Sequence, residues 1–340
     1  MSQGESRKFV EKIFRDIEAS RNARLWDDAI NMLRTVSESV FARSAHFILE
    51  LLQNAEDSGR DLHRVGEIEF SISPSRVRVS HNGSPFTKEN VDAICGVCSF
   101  KKPEEGTLGF LGIGFKSVFR ITEAPQIHSG DFHFKFDKSC HANPADVLWE
   151  IMPLWVEHPS EHVRHDLTTF ILPFRGADSY EQTLRELKKL DVHVFLFLKW
   201  LKRLRIVDES SGTTSVIDIR GEKNGILSVT KDGTTSRFVT FRRSAGVPVK
   251  VANDPSLEFY RRQKVKRREV VIAFAVDEDR NLKQIDEAGA LGSVASFLPL
   301  MEEKSGAKFL LQADFWCSPA ARRSNTKRVG ISGFLMKRLS

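Results

Sequence analysis

The sequence has 340 residues, enough for one large domain or two ordinary ones, and its 41% hydrophobic and 28% charged residues are typical of a soluble globular protein. No apolar run approaches about 20 residues and residues 1–8 lack a following apolar segment, so neither a membrane-spanning helix nor a secretory signal is expected. The four cysteines fit a reducing compartment, and we therefore expect an intracellular protein, cytoplasmic or nuclear.

Three helices are predicted at the start of the chain. Apolar residues at helical spacing mark residues 7–19 and 26–40, and a longer apolar pattern marks residues 41–57. We expect the first two helices to cover the third. Gly59 follows the third helix and suits the left-handed conformation that often ends a helix.

The third predicted helix carries a polar stripe opposite its apolar face. Glu50, Asn54 and Asp57 lie at positions i, i+4 and i+7, so they share one side of the helix. A carboxylate can take a proton from water, and a carboxamide oxygen is a hard ligand for Mg²⁺, so the pair suits metal-assisted hydrolysis. The alternative is a solvated stripe on an ordinary surface helix.

A hairpin and a capped helix follow. Alternating residues predict strands at 67–72 and 77–80, joined by a turn at 73–75, and Thr87 predicts a helix start with Asn90 at the capping-box position. Residues 95–108 show no periodicity, and we interpret them as a lid over a ligand. Cys95 and Cys98 have the spacing of half a zinc site. No second pair follows, so small buried cysteines are the favoured interpretation.

A glycine-rich segment, residues 109–119, is the next feature. Gly109, Gly112 and Gly114 would let backbone amides approach a phosphate, the predicted helix after them would add a favourable dipole, and Lys116 could reach the same charge. Taken alone, this segment could equally be a tight turn between a strand and a helix.

The rest of the chain alternates strands with two further helices. Strands are predicted at 124–129, 132–136 and 168–174, a helix at 180–190, an apolar run at 192–201, and a final helix near 331–339. Further short strands are predicted at 204–207, 215–219, 226–229, 238–241, 270–276, 294–298 and 308–313. Residues 261–268 contain six basic residues. Solvated arms of a hairpin are favoured there, with contact to a nucleic-acid backbone as the functional alternative.

Four segments resemble, in this order, the N, G1, G2 and threonine boxes of the Bergerat-fold (GHKL) ATPase superfamily. They are residues 50–57, 79–86, 109–119 and 168–173. Residues 46–57, 112–129 and 132–137 are most similar to the sacsin/NO VEIN-like N-terminal ATP-binding domain, and a weaker resemblance continues at 294–299 and 309–315. The resemblance implies an α+β protein. It would have a Bergerat-fold ATP-binding α/β sandwich at residues 1–176 and a transducer-like α+β domain at 177–340.

The resemblance also implies roles. Glu50 would be the general base, Asn54 the Mg²⁺ ligand, and Arg322 or Arg323 the basic residue delivered to the γ-phosphate. Thr168, with Thr169 as the alternate, would support the adenine. The remaining expected nucleotide-binding residues are Asp57, His81, Asn82, Gly83, Phe86, Ser99, Lys101, Gly109, Gly112, Ile113, Gly114, Phe115 and Lys116.

One position departs from the superfamily. His81 stands where the G1 box normally has an aspartate that accepts a hydrogen bond from the adenine amino group, and Asn82 lies beside it. A neutral imidazole nitrogen or the Asn82 oxygen could accept instead.

The resemblance thus implies an ATP-binding module that hydrolyses ATP slowly, with Mg²⁺ as cofactor and closure of the lid as its output. The alternatives are an ATP-binding interaction module that does not hydrolyse, and an ATP switch associated with nucleic acid, which is the less favoured partner. Further expected partners are an unidentified protein and a second copy of the chain in a nucleotide-dependent homodimer, without a membrane.

Overall fold

The described residues fall into two compact units. In the computed structural model these residues are 1–22, 26, 28, 31, 46–96, 114–190, 192–222, 225–247, 249, 266–283, 293–296, 298–304 and 309–313. The first unit is drawn from 1–220, 229–235 and 248–265, and the second from 221–228, 236–247 and 266–340. The fold is α+β, with few helices and both parallel and antiparallel strand pairs. That the functional domains divide after residue 176 stays a prediction.

Within the described residues of the first unit, bounds are defined for four α-helices and six short 3₁₀ segments. The helices are α1 (Gln3–Ala19), α2 (His46–Gly59), α3 (Lys88–Cys95) and α4 (Ala177–Lys188). The 3₁₀ segments are Ser20–Asn22, Gly114–Arg120, Lys138–Cys140, Pro144–Asp146, Trp149–Ile151 and Val192–Phe197. None of the helices that the structure describes is long and apolar enough to cross a membrane.

The sheet of the first unit is almost entirely antiparallel. Its strands are β1 (Gly66–Ser73), β2 (Arg76–His81), β3 (Gln126–Ser129), β4 (Phe132–Lys135), β5 (Leu154–Trp155), β6 (Thr168–Pro173), β7 (Leu201–Asp208) and β8 (Thr213–Gly221). They follow the order β8-β7-β1-β2-β6-β3-β4-β5, in which β1 and β7 are parallel and the other pairs antiparallel. Two parallel neighbouring strands require a crossover connection. Here the chain passes through α4 before it forms β7 beside β1.

Helix α2 lies against this sheet with its apolar stripe inward. The stripe that the sequence predicted is confirmed, since all its members are at most 2% exposed: Phe47, Ile48, Leu51, Leu52 and Ala55. On the sheet, Phe70 and Val79 are fully buried. Burial of this stripe stabilises the helix. The opposite face of the helix, which carries Glu50, is then available for a functional role.

Several other predicted elements are confirmed. The strands of the predicted hairpin occur with the turn at 74–75, and Thr87 caps α3 in a capping box with Asn90. The first predicted helix is α1. Its principal neighbours are α3, β4 and β5, rather than the expected α2. The second, at 26–40, lies mostly outside the described residues. Of its side chains, Trp26 packs against Leu148 and Ile151.

The predicted helix after the glycine-rich segment is present, but it is a 3₁₀ helix rather than an α-helix. It comprises residues Gly114–Arg120. The Ser117 hydroxyl donates a hydrogen bond to the Gly114 carbonyl oxygen at 2.6 Å, three residues earlier. Such local bonds compete with the ordinary α-helical ladder and favour the tighter turn.

The second unit has its own set of strands. These are β11 (Arg267–Val276), β12 (Ser293–Ser296), β13 (Leu298–Lys304), β14 (Leu310–Ala313) and residues 236–246 of β10 (Thr234–Gly246). Their order is β13-β12-β14-β11-β10. Strand β9 (Ile226–Lys231) has residues assigned to both units. The predicted final helix at 331–339 lies outside the described residues.

Gly59 is required for a different reason from the one predicted. It is the last residue of α2 and is absent from the described glycines with positive φ, which are Gly130, Gly212, Gly225 and Gly233. A Cβ atom added at Gly59 would instead overlap the indole ring of Trp200, and one added at Gly66 would lie 2.6 Å from the Trp200 carbonyl oxygen. These glycines allow the end of α2 and the start of β1 to approach the tryptophan.

We expect Gly59→Ala to lower the free energy of unfolding by about 1–3 kcal/mol, because the added methyl group overlaps a buried ring. Alanine is the better helix former, so an effect of propensity alone would have the opposite sign. Gly4→Ala in α1 is the control. Nothing lies within 4 Å of its added Cβ, and stability should be unchanged or raised by up to about 1 kcal/mol. Urea unfolding of both variants measures the difference, and a stabilised Gly59→Ala chain would contradict the packing argument.

Candidate functional site

The polar face of α2 is the centre of the candidate site. Glu50, Asn54 and Asp57 are all partly buried, on a helix that runs unbroken through them. The common face that their spacing predicted is therefore present. Within the described residues no hydrogen bond engages the Asn54 side chain, whereas Asp57 accepts one from Arg60 at 3.3 Å.

Glu50 lies directly against the glycine-rich segment. A Cβ atom added at Gly114 would overlap Oε2 of Glu50, so glycine allows the carboxylate to take its present position against this segment. Helix α2 packs on the 3₁₀ turn that begins at Gly114. The structure thus brings together two predicted site residues that lie far apart in the sequence.

The surroundings of Glu50 favour its neutral form. Burial raises the pKa of its carboxyl group to about 7, and the negative charge of Asp57 contributes in the same direction. A general base works best when its pKa lies near the working pH, because it is then both available and basic enough to accept a proton. The carboxyl group of Glu50 has this property at neutral pH.

The loop after β2 docks on the C-terminal end of α2. The backbone N–H of Ser84 donates to the Ser58 carbonyl oxygen at 3.1 Å, and a Cβ atom added at Gly83 would overlap the Ser58 hydroxyl. Gly83 therefore allows a close approach between the two box segments. Phe86, at the end of this loop, packs edge-on against Phe170 with ring centroids 6.3 Å apart.

Asn82 is engaged by the backbone. Its Oδ1 accepts a hydrogen bond from the Glu67 N–H at 2.8 Å, and its Nδ2 donates to the Val65 carbonyl oxygen at 2.9 Å. Both ends of the amide are therefore hydrogen-bonded to the backbone at the start of β1. The structure does not present the Asn82 oxygen as a free acceptor for a base.

His81 is buried and uncharged. Only 3% of the residue is exposed, and burial lowers the pKa of its imidazole to about 4. The Gly83 N–H donates a hydrogen bond to Nδ1 at 3.2 Å, and the ring stacks on Phe170 at a centroid distance of 6.3 Å. The imidazole is thus fixed in place by a hydrogen bond on one edge and by a ring on its face.

Thr168 lies beside His81 on the same face of the sheet. The two residues are register partners of β2 and β6, whereas Thr169 pairs with Ser80 on the opposite face. The Thr168 hydroxyl is fully buried and hydrogen-bonds the Ser129 hydroxyl at 2.6 Å. Of the two threonines that the sequence left open, Thr168 is the one that the strand register places with His81.

Lys116 points into the core. Its Nζ donates to the carbonyl oxygens of Ile94 at 2.5 Å and Glu150 at 2.8 Å, and it lies 5.1 Å from the ring centroid of Phe136. Burial lowers the pKa of its ammonium group to about 8. In this conformation the ammonium group is not placed to contact a phosphate, because its hydrogen bonds connect α3 to a neighbouring 3₁₀ turn. Phe115 is likewise a core residue, 4% exposed.

Glu56 is a structural residue that sequence reasoning missed. Its carboxylate accepts hydrogen bonds from three successive backbone N–H groups, those of Lys199 at 2.6 Å, Trp200 at 3.0 Å and Leu201 at 2.8 Å. The bonds tie α2 to the start of β7. The feature of the sequence that could have identified this role is the spacing of Glu56 along the helix. Glu56 follows Leu52 by one turn, so it continues the apolar stripe, where a carboxylate must find donors.

The remaining predicted site residues lie outside the described part of the chain. They are Ser99, Lys101, Gly109, Gly112, Ile113, Arg322 and Arg323. The same holds for residues 261–265 of the basic cluster and for Cys98.

No family model matches the chain. The chain is 33% identical over 307 residues to Protein NO VEIN of Arabidopsis thaliana, in a match that covers 83% of this chain. The match covers 10% of that protein, so the chain spans about a tenth of the length of the curated relative.

Proposed function

Because this chain is related to a part of Protein NO VEIN, we propose that it is a Bergerat-type module that binds ATP with Mg²⁺ and hydrolyses it slowly. Four box segments, residues 50–57, 79–86, 109–119 and 168–173, carry the resemblance to that ATPase superfamily. Closure of residues 95–108 over the nucleotide is the proposed output, with Glu50 as the base that activates water.

One observation carries the proposal: the Glu50 carboxylate lies against Gly114 and has a pKa raised to about 7. Gly114 is the last glycine of the segment whose backbone amides are proposed to hold the phosphates. A base with this pKa, placed at the edge of a phosphate-binding loop, suits the attack of water on a terminal phosphate. A merely solvated stripe would not raise the pKa of Glu50 in this way.

The residues present also fit Mg²⁺. This ion keeps several of its waters and is usually held by one or two protein oxygens together with substrate phosphates. Asn54 offers one amide oxygen, one helical turn from Glu50, and no hydrogen bond in the described part of the chain competes for it. When bound, the ion would neutralise part of the triphosphate charge.

A second candidate function is binding of ATP without hydrolysis. Lys116 favours it, because its ammonium group is engaged by two carbonyl oxygens and would supply no charge to a γ-phosphate in this conformation. The association with nucleic acid gains no support of this kind, since most of the basic cluster lies outside the described residues.

Replacing Asn54 with alanine is expected to weaken ATP binding by about 10- to 100-fold in the presence of Mg²⁺, because the variant lacks the proposed metal ligand. Without Mg²⁺ the variant and parent should bind alike. Calorimetric titration of ATP, with and without Mg²⁺, measures both effects. Asn143→Ala is the matched control, since Asn143 is exposed and its side chain makes no capping hydrogen bond.

The parent chain tests the proposal as a whole. If it binds no ATP under either condition, the proposed function is wrong. If it binds ATP but releases no phosphate on prolonged incubation, the second candidate replaces the first. An Asn54→Ala chain with unchanged Mg²⁺ dependence would remove Asn54 from the metal site and leave nucleotide binding standing.

A further inference from the structure

Two histidines face each other across adjacent strands of the first unit. His128 of β3 and His133 of β4 are register partners, and their Nδ1 atoms lie 3.1 Å apart, within hydrogen-bond distance. The His133 carbonyl oxygen accepts a hydrogen bond at 2.9 Å from the N–H of Val156, the residue after β5, so the backbone groups of His133 point toward β5 rather than β3. At this position the two rings, and not the backbone, therefore provide the hydrogen bond that joins β4 to β3.

The position of the shared proton follows from the other nitrogen of His128. A hydrogen bond between two Nδ1 atoms needs one hydrogen between them. His128 is 2% exposed, and within the described part of the chain its Nε2 is buried without a hydrogen-bond partner. A hydrogen on that Nε2 would make an unpaired buried donor, whereas an unprotonated nitrogen leaves an unused acceptor, the less rare of the two states. The hydrogen is therefore on Nδ1 of His128, which donates to Nδ1 of His133.

A further proton has no favourable position in this pair, since only two ring nitrogens remain unprotonated. On Nδ1 of His133 it would break the hydrogen bond, because both facing atoms would then carry a hydrogen. On Nε2 of His128 it would create a charged N–H group without an acceptor in a buried place. Burial lowers the pKa of His128 to about 4, and the charges of His133 and Arg78 act in the same direction.

The charged groups around His133 do not reverse this preference. Burial lowers the pKa of its imidazole, His165 lowers it further, and Asp131 acts in the opposite direction. Asp131 also lies 3.3 Å from Nε2 of His165, so it has a second basic partner. On the side of β2, Arg78 faces Glu161 at 3.9 Å. Both rings of the pair therefore stay neutral at pH values at which a histidine in an unfolded chain becomes charged.

We infer that His128 and His133 form an acid-sensitive lock, which holds β4 and β5 onto β3 while both rings are neutral and opens when the pair takes up a proton. Among the described strands β5 pairs with β4 alone, so these two strands form the edge of the sheet. Helix α1 packs against both of them, so opening of the lock also weakens the packing of α1. The inference does not depend on the proposed binding of ATP.

The lock gives the stability a defined pH dependence. A histidine in the unfolded chain has a pKa of about 6.5, so below that pH the unfolded state binds protons that the folded pair excludes. The stabilisation is complete above pH of about 6.5 and is lost as the pH falls toward about 4, the pKa of His128 in the folded chain. Between pH 7.5 and pH 5, His128 alone should raise the equilibrium constant of unfolding roughly 10- to 30-fold.

Urea unfolding at these two pH values tests the lock on the full chain and on a double variant, His128→Asn with His133→Asn. Two asparagine amides can still hydrogen-bond each other but take up no proton. The equilibrium constant of the double variant should therefore rise roughly 10-fold less than that of the parent on going to pH 5. His162→Asn replaces an exposed histidine and should keep the pH dependence of the parent. Equal pH dependence in the parent and the double variant would overturn the inference.

Nuclear magnetic resonance on the parent decides the matter even if the double variant does not fold. At pH 7.5 the ring nitrogens should show hydrogen on Nδ1 of His128 and on Nε2 of His133. The Phe136 N–H donates to the Pro125 carbonyl oxygen at 3.0 Å at the open end of the same hairpin. Its protection against hydrogen exchange should fall roughly 10-fold from pH 7.5 to pH 5. Hydrogen on Nε2 of His128, or unchanged protection of Phe136, would show that the pair is not such a lock.

Discussion

Replacing Glu50 with glutamine is expected to lower the rate of ATP hydrolysis by about 10²- to 10⁴-fold, the usual effect of losing a general base. The affinity for ATP with Mg²⁺ should stay within about threefold of the parent, because the carboxylate accepts its proton only as the reaction proceeds. Glutamine keeps the size of the side chain that fits against Gly114. Phosphate release and calorimetric titration on the same preparation separate the two quantities.

The pH dependence provides an independent check of the same assignment. A base must be unprotonated to act, so the rate should fall as the pH drops below about 7, the pKa of Glu50. The charge of Asp57 helps to raise that pKa. Asp57→Asn should therefore lower the pKa and move the acidic limb of the rate profile to lower pH. A limb that stays in place in Asp57→Asn, or full activity in Glu50→Gln, would contradict the role of Glu50.

The largest loss of stability is expected for Glu56→Ala, about 3–5 kcal/mol in the free energy of unfolding. The substitution removes a buried carboxylate and leaves the N–H groups of Lys199, Trp200 and Leu201 without their acceptor. Helix α2 would also lose its tie to β7. Urea unfolding followed by circular dichroism measures the change.

Two variants make that result specific. Glu56→Gln keeps one acceptor oxygen and should lose less than Glu56→Ala. Glu181→Ala removes a glutamate from the exposed side of α4 and should change stability by no more than about 0.5 kcal/mol. If Glu56→Ala is as stable as Glu181→Ala, the three hydrogen bonds do not hold α2 in place.

Predictions from short-range patterns were reliable. The 3.6-residue spacing of apolar residues identified the buried face of α2, and alternation identified β1 and β2 with their turn. Thr87 and Asn90 identified the start of α3. In each case the physical cause, burial of one face or capping of one end, involves residues within a few positions of one another.

Partners from distant segments could not be predicted in the same way. The spacing of Glu50 placed it on the polar face of α2, but this spacing does not predict that Gly114 lies against the carboxylate. Lys116 looked like a phosphate ligand because it follows glycines, yet its ammonium group lies among aromatic rings and binds two carbonyls. The parallel pairing of β1 with β7 likewise joins segments more than a hundred residues apart.

The two hydrogen bonds of Asn82 also affect how readily its side chain is deamidated during storage. Asn82 is followed by Gly83. Because glycine has no Cβ atom, it is the residue that least hinders attack of its own backbone nitrogen on the side-chain amide of the preceding asparagine. In the folded chain that amide is held at both ends, by Glu67 and Val65, so deamidation is confined to molecules in which this end of the sheet has opened. An aspartate formed there would set an oxygen against the Val65 carbonyl and hinder reclosure. The deamidated fraction at residue 82 in stored protein therefore records how often that end opens.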